Sequence, residues 1–398
     1  SCCTLAPMSL LTTKRVRLYA TALIFLYVVL AGRFTYESIF DKPRVCDFGQ
    51  YWAAGLLALD GKAVDAYDRD KLHEVERREF GDDFPNLHFN YPPTYLLLQI
   101  PLSLLPYLAA LMLFIGLNVY CFWRLIRAII AQVNSEYCDL AGRVALAFPG
   151  VILNMSYGQN GIFSALLLGT GLFVVDSSPL LAGFLFGLLS YKPNLAVVAP
   201  LVLLITNRWR AFGATVITGA VFMLLTLPLF GVAPWYAFAG RVSAVFEFVE
   251  KHPEILYRYS TYFGTFKLAG LPTVAASALQ TIISLASLGV LVWLWRKESS
   301  YELRCAGTIC CCLLMTPYAI EYDLAMLGLA IAWYGAHTLR DGSEIPTLER
   351  AVLVLAWAIP FFGRHIARVS QVVTAPFVVT ALLLMVMRRV CAPSQSQS

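Results

Sequence analysis

Four stretches of this chain, 92–123, 144–175, 211–240 and 271–295, contain no Asp, Glu, Lys or Arg. A helix that crosses the hydrocarbon core of a bilayer needs about 20 predominantly apolar residues, and each of these runs is long enough for one crossing or more. The pattern predicts an all-α polytopic integral membrane protein. Composition agrees: 59% of residues are hydrophobic, 14% are charged and the mean hydropathy is +0.67. Soluble globular chains carry about 25% charged residues, so an ordinary cytosolic enzyme is excluded.

Other classes fall on the same reading. The net charge of +5 is spread along the chain without a basic block, which argues against nucleic acid as a partner. The ten cysteines show no metal-ligand spacing, and Cys310, Cys311 and Cys312 lie in an apolar run where small polarizable side chains pack well between helices. A disulfide framework is not expected, since only Cys46 and Cys138 lie near water-facing segments. Cys2 and Cys3 follow no hydrophobic signal, which weakens a lipoprotein reading. The one low-complexity segment is the polar tail Ser394–Ser398. A single integral domain over 1–398 is the simplest organisation.

Charge sets the expected topology. The first apolar run follows Lys14, Arg15 and Arg17 and lacks a small-residue cleavage site, which reads as an uncleaved signal-anchor with a cytoplasmic N-terminus. Spans are then expected near 18–38, 106–128, 141–157, 160–176, 180–191, 194–206, 211–231, 272–295, 303–319, 322–338, 349–363 and 370–388, about twelve in all. The short segments 180–191 and 194–206 read as a broken pair meeting around Tyr191–Asn194. Two long loops, 41–90 and 232–271, fall on the outer side. With those set aside, the outer basic residues are Lys192, Arg364 and Arg368, as the positive-inside rule requires. Within the first loop, 48–59 and 68–80 read as short helices at the membrane interface.

This topology sends the polar residues of the apolar runs to one face: Asp47, Tyr91-Pro92-Pro93, Gln159-Asn160, Lys192, Glu321-Tyr322-Asp323 and Arg364-His365. Each has a plain alternative. The Pro-Pro pair starts a helix, Gln159-Asn160-Gly161 makes a tight turn, and Lys192 snorkels to head groups. Arg364-His365 anchors at the interface, and Glu321 or Asp323 pairs with a neighbouring base. Their shared location is the stronger signal, because ionisable groups at membrane depth are costly and mark functional sites. A carboxylate there can act as general base toward a hydroxyl, and a Lys or Arg can stabilise a departing phosphate. No phosphate-cradling Gly-rich loop occurs, so nucleotide-sugar chemistry in the cytoplasm is not supported.

The run Asp47-Phe48-Gly49-Gln50-Tyr51-Trp52-Ala53-Ala54, then Gly61, Tyr67, Phe89-Asn90-Tyr91-Pro92-Pro93, Pro101-Leu102 and Leu105-Pro106, resembles glycosyltransferase family 87. Gly158-Gln159-Asn160 and Tyr191-Lys192-Pro193 add to the resemblance, which covers 40–330 and is tightest over 45–106. It implies a GT-C-type fold with an extended first extracytoplasmic loop. It also implies a polyprenyl-phosphate sugar as donor, a glycolipid or glycan hydroxyl as acceptor, inversion, and no metal or other cofactor. Carried over by position, Asp47 of the D-x-x-x-Y motif is the catalytic base. Lys192 is the candidate for the donor phosphate. Tyr51, Tyr91, Gln159, Asn160, Tyr322, Asp323, Arg364 and His365 are candidates for lining the donor site. The late turn Thr316–Asp323 departs from the pattern by lacking the His that mannosyltransferase relatives often carry, so mannose is not assumed. The expected setting is a bacterial inner membrane with the site outside. Three other readings stay open: a lipid or sugar transporter or flippase without transferase chemistry, a non-catalytic scaffold, and a hydrolase of lipid-linked sugars.

Overall fold

The computed structural model describes residues 12–40 and 46–392; Cys2, Cys3 and the Ser394–Ser398 tail lie outside the described residues. Among the described residues the regular structure is helical, and extended backbone pairs at one isolated antiparallel bridge, Tyr259–Ile320. Each apolar segment expected to span coincides with helix, although fewer of them are long enough to cross alone. Five helices meet the length and composition of a membrane span: Thr13–Arg33, Tyr107–Ala131, Trp209–Phe230, Thr273–Arg296 and Thr347–Ser370. A sixth forms if Ser135–Leu146 and Pro149–Tyr157, bent by 43°, count as one. The bend follows from Pro149, which has no N–H to give and forces Phe148 into an extended conformation.

The broken pair lies where the sequence places it. Helix Pro179–Leu188 ends in a 3-10 turn, Leu189–Tyr191, and Pro193 opens the next helical piece after Lys192 leaves helical geometry. At about 1.5 Å per residue such pieces cannot span hydrocarbon individually; each buries one face, with Ala182, Phe186, Leu195 and Leu203, and exposes another, with Leu180, Phe184 and Val197. The helices Tyr301–Met315 and Met326–Asp341 are buried on nearly every face, with Cys310, Cys311 and Cys312 at 1% exposure or less. The first helix, Thr13–Phe40, stands at the periphery. It is tied to the bent span by Tyr27, whose hydroxyl donates to the Ala147 carbonyl at 3.2 Å, and by Arg143, which donates to the Thr21 hydroxyl at 3.1 Å.

Two long loops meet at one end of the bundle. The first contains helix Cys46–Leu59, the 3-10 turn Ala63–Tyr67 and helix Arg69–Phe80, close to the helices expected at 48–59 and 68–80. Asp68 caps the last of these by accepting from the Asp70 and Lys71 amides. Helix Pro93–Ser103 follows, and Pro93 sits at its first turn as the Pro-Pro pair suggests. The second loop contains helix Ala233–Lys251, the 3-10 turn Pro253–Arg258 and helix Tyr262–Leu268. Helix Ala233–Lys251 packs over both Ala63–Tyr67 and Pro93–Ser103, roofing the space between the loops.

Candidate active site

Asp47 is carried in the first turn of helix Cys46–Leu59, where the helix dipole favours a negative charge. That helix is anchored on its other side. Ser103 donates to the Trp52 carbonyl at 2.9 Å, the Trp52 indole donates to the Leu105 carbonyl at 3.1 Å, and Phe48 stacks on Phe114 at 5.3 Å. The carboxylate is thus presented by a packed helix rather than a free loop.

Gln159 fixes the orientation of Asp47. Gly158 ends helix Pro149–Tyr157 with φ +62°, a left-handed conformation suited to glycine, and the chain reverses through Gln159-Asn160. The Gln159 side-chain oxygen accepts from the Tyr51 hydroxyl at 2.8 Å and from the Asn160 amide at 3.3 Å. Its nitrogen therefore faces Asp47 and donates to Oδ2 at 2.6 Å. Behind the turn, Asn154 accepts from the Ile162 amide and donates to the Tyr322 carbonyl at 3.0 Å. Gly161 lies so close to that carbonyl that a Cβ there would overlap it.

Lys192 is 4% exposed and already satisfied. Its ammonium donates to Asp323 Oδ1 at 2.5 Å and to Asn160 Oδ1 at 3.0 Å, with the Tyr322 ring 5.1 Å away. Asp323 is held in turn by the Ile320 amide at 3.2 Å. The ion pair closes the floor of the site. An aromatic wall rises from it: Tyr191 stacks on Tyr95 at 5.0 Å, Tyr95 lies against Tyr91 at 4.4 Å, and Tyr51 meets Tyr91 edge-on at 5.3 Å.

These groups open onto a cavity of about 450 Å³, within the range of small-molecule sites. Of the residues singled out from sequence, Asp47, Tyr51, Tyr91, Gln159, Lys192 and Tyr322 line it, and Asn160 and Asp323 stand directly behind Lys192. Arg364 lies apart, 4.0 Å from Glu321 and donating to the Tyr157 hydroxyl at 3.2 Å. His365 is exposed on helix Thr347–Ser370 and does not line the cavity.

Sequence reasoning passed over Arg258. It ends the 3-10 turn of the second loop, lines the cavity, and donates through Nε to Glu321 Oε1 at 2.8 Å. Its Nη2 is enclosed without a hydrogen-bond partner among the described residues. Burial pushes the Asp47 carboxyl above the ordinary carboxylate range, while the Arg258 charge and the Gln159 amide pull it back. Burial would lower the Arg258 guanidinium, but the Glu321 and Asp47 carboxylates hold it above its usual value. The pairing was hidden because Arg258 sits in a long loop, 63 residues before the Glu321 it meets. The site thus offers an oriented carboxylate of raised pKa, a cation within its field, and aromatic and amide groups suited to a sugar ring.

The model of glycosyltransferase family 87 matches residues 89–317. That stretch includes Tyr91, Gln159, Asn160, Lys192 and Arg258 and begins after Asp47. No curated protein and no solved structure matches the chain. More than half of the sequence falls under one family model, and its apolar helices carry the cavity at one end of the bundle. The chain belongs to glycosyltransferase family 87 and is a polytopic, all-α membrane glycosyltransferase of GT-C type.

Proposed function

We propose that this membrane glycosyltransferase moves a sugar from a polyprenyl-phosphate donor to a lipid or glycan hydroxyl. Transfer occurs at the extracytoplasmic face of a bacterial inner membrane, with Asp47 as general base and no metal ion required. The observation that carries the reading is the Asp47 carboxylate, aimed by Gln159 into the cavity while Arg258 stands within its field. Asp47 accepts the proton of the acceptor hydroxyl as its oxygen attacks the anomeric carbon. The bond from that carbon to the phosphate oxygen breaks, and the polyprenyl phosphate leaves with the electron pair. A single displacement of this kind inverts the anomeric centre.

Arg258 is the better candidate for the departing phosphate. Both cations have a carboxylate partner, Asp323 for Lys192 and Glu321 for Arg258, but Arg258 keeps an enclosed Nη2 without a partner among the described residues. A preorganised cation facing charge that develops in the transition state is worth about a hundredfold or more in rate. Lys192 and Asp323 then shape the floor, and Tyr51, Tyr91 and Tyr322 bound the sugar.

The test is transfer by purified Asp47→Asn from polyprenyl-phosphate mannose and its glucose and arabinose counterparts. A fall of about a hundred- to ten-thousandfold is expected for the loss of a general base. Transfer near the wild-type rate by a folded variant overturns the assignment. Labelled lipid exchanged across proteoliposomes without a covalent product would replace it with a flippase.

A further inference from the structure

A second group of basic side chains, two guanidinium groups and an imidazole, lies at the outer rim of the cavity, away from Asp47. Arg69 and His88 line the cavity there. Arg69 is exposed, and its position is set by Asn86, whose side-chain and backbone oxygens accept from the guanidinium at 2.9 and 3.2 Å. His88 meets the Phe248 ring edge-on at 5.5 Å, which ties it to the roofing helix Ala233–Lys251. On that helix, Phe238 and Val242 line the cavity, and Arg241 directly precedes Val242 in the sequence. Arg241 is half-buried, and its Nε is enclosed with no hydrogen-bond partner among the described residues.

Five carboxylates of the two loops are engaged elsewhere. Asp65 takes Lys71 at 2.7 Å, and Asp68 caps its helix. Glu247 takes Lys251 at 2.6 Å, Glu250 accepts from the Thr273 hydroxyl at 2.6 Å, and Glu254 pairs with His252 at 3.1 Å. Electrostatics agrees. Burial and the Arg241, Arg69 and His252 charges pull His88 down to about 4, and burial together with the Arg69 charge lowers Arg241. Two guanidinium groups on two separate loops, Arg241 lowered in part by the charge of Arg69, are stabilised by an anion between them.

We propose that Arg69, His88 and Arg241 form a second anion subsite at the cavity rim, and that it takes the phosphodiester of a glycolipid acceptor's head group. The inference rests on the reading that the donor's phosphate departs beside Arg258. A donor with one phosphate attached to the reacting carbon has no second anion to place. The charge acting on Asp47 is that of Arg258, while the charges of Arg69 and Arg241 act on His88 and that of Arg69 acts on Arg241. A remote anion therefore belongs to the substrate whose hydroxyl Asp47 activates.

The experiment compares three probes by titration calorimetry of the whole protein in a neutral detergent: dioctanoyl phosphatidylglycerol, dioctanoylglycerol and citronellyl phosphate. Phosphatidylglycerol is expected to bind at least tenfold more tightly than dioctanoylglycerol. Arg69→Gln and Arg241→Gln are expected each to remove most of that preference and leave citronellyl phosphate unaffected, while Arg241→Lys keeps part of it. Thermal unfolding of each variant in the same detergent separates lost binding from lost folding. Equal binding of the charged and uncharged glycerolipids overturns the proposal. A loss confined to citronellyl phosphate also overturns it, by assigning the rim to the donor. Arg258→Gln judges the underlying reading separately: it should weaken citronellyl phosphate and spare phosphatidylglycerol.

Discussion

The Gln159 side-chain nitrogen donates to Asp47 Oδ2 at 2.6 Å, and it can point nowhere else because Tyr51 and the Asn160 amide occupy its oxygen. An amide pinned in this way both aims the carboxylate and favours its charged form. Two residues 112 positions apart thus act as one group.

That relationship gives Gln159→Leu a specific signature. Removing the amide leaves burial less opposed, so Asp47 rises further from its ordinary value. A base works only when deprotonated, so the acidic limb of the pH–rate profile moves to higher pH. At neutral pH kcat falls about tenfold or more, as expected for a misaligned base. An unchanged acidic limb in initial-rate measurements would show that Asp47 does not govern it.

Lys192 and Asp323 form a buried pair, so removing one partner leaves the other charged and unsolvated. Lys192→Met or Asp323→Asn alone should destabilise the protein by about 3–5 kcal/mol, while Lys192→Met with Asp323→Leu should recover most of that loss. Thermal unfolding in detergent reads the cycle. A stable double variant that has lost donor affinity would return Lys192 to the role of phosphate ligand.

Glu76 predicts a pH dependence of stability. It is 0% exposed on helix Arg69–Phe80, its Oε2 lies 3.2 Å from His73 Nδ1, and its Oε1 has no hydrogen-bond partner among the described residues. Burial pushes its pKa up to about 8. The folded state then holds a proton that the unfolded state releases near 4.5, so stability is full below that value and falls as pH rises toward 8. Glu76→Gln should remove this slope and stabilise the protein at pH 8 by on the order of 3 kcal/mol, with little effect at pH 5. Parallel melting curves for both proteins across that range would contradict it.

His365 is exposed beyond the cavity and touches none of the machinery, which suits it to report sidedness. In a background with Cys2, Cys3, Cys46, Cys138 and Cys391 replaced, His365→Cys should react with a membrane-impermeant maleimide added to spheroplasts. Reaction only in inverted vesicles would reverse the proposed orientation.

Much of this was legible in the sequence, for identifiable reasons. Apolar runs mark helices because lipid leaves the backbone no other partner, and Pro149 and Pro193 mark the breaks because they lack an N–H. Asp47, Tyr51, Tyr91, Gln159, Lys192 and Tyr322 meet at one cavity because a hairpin of helices returns its turns to the same end. Arg258, Arg69 and Arg241 were not legible, since loop residues carry no periodicity and their significance depends on which carboxylates are already engaged. The state of Lys192 was hidden for the same reason: it is decided by Asp323, 131 residues later. How the apolar segments divide into helices was not legible, because an apolar segment packed against other helices and one facing lipid read alike.

The same separation bears on how the molecule is made. When Lys192 enters the membrane during synthesis, the carboxylate that will neutralise it has not yet been translated. The short apolar piece around it therefore has reason to wait at the aqueous boundary until Glu321–Ala325 emerges. The floor of the cavity is closed only when early and late chain meet, and a product truncated before Asp323 lacks the carboxylate that neutralises Lys192.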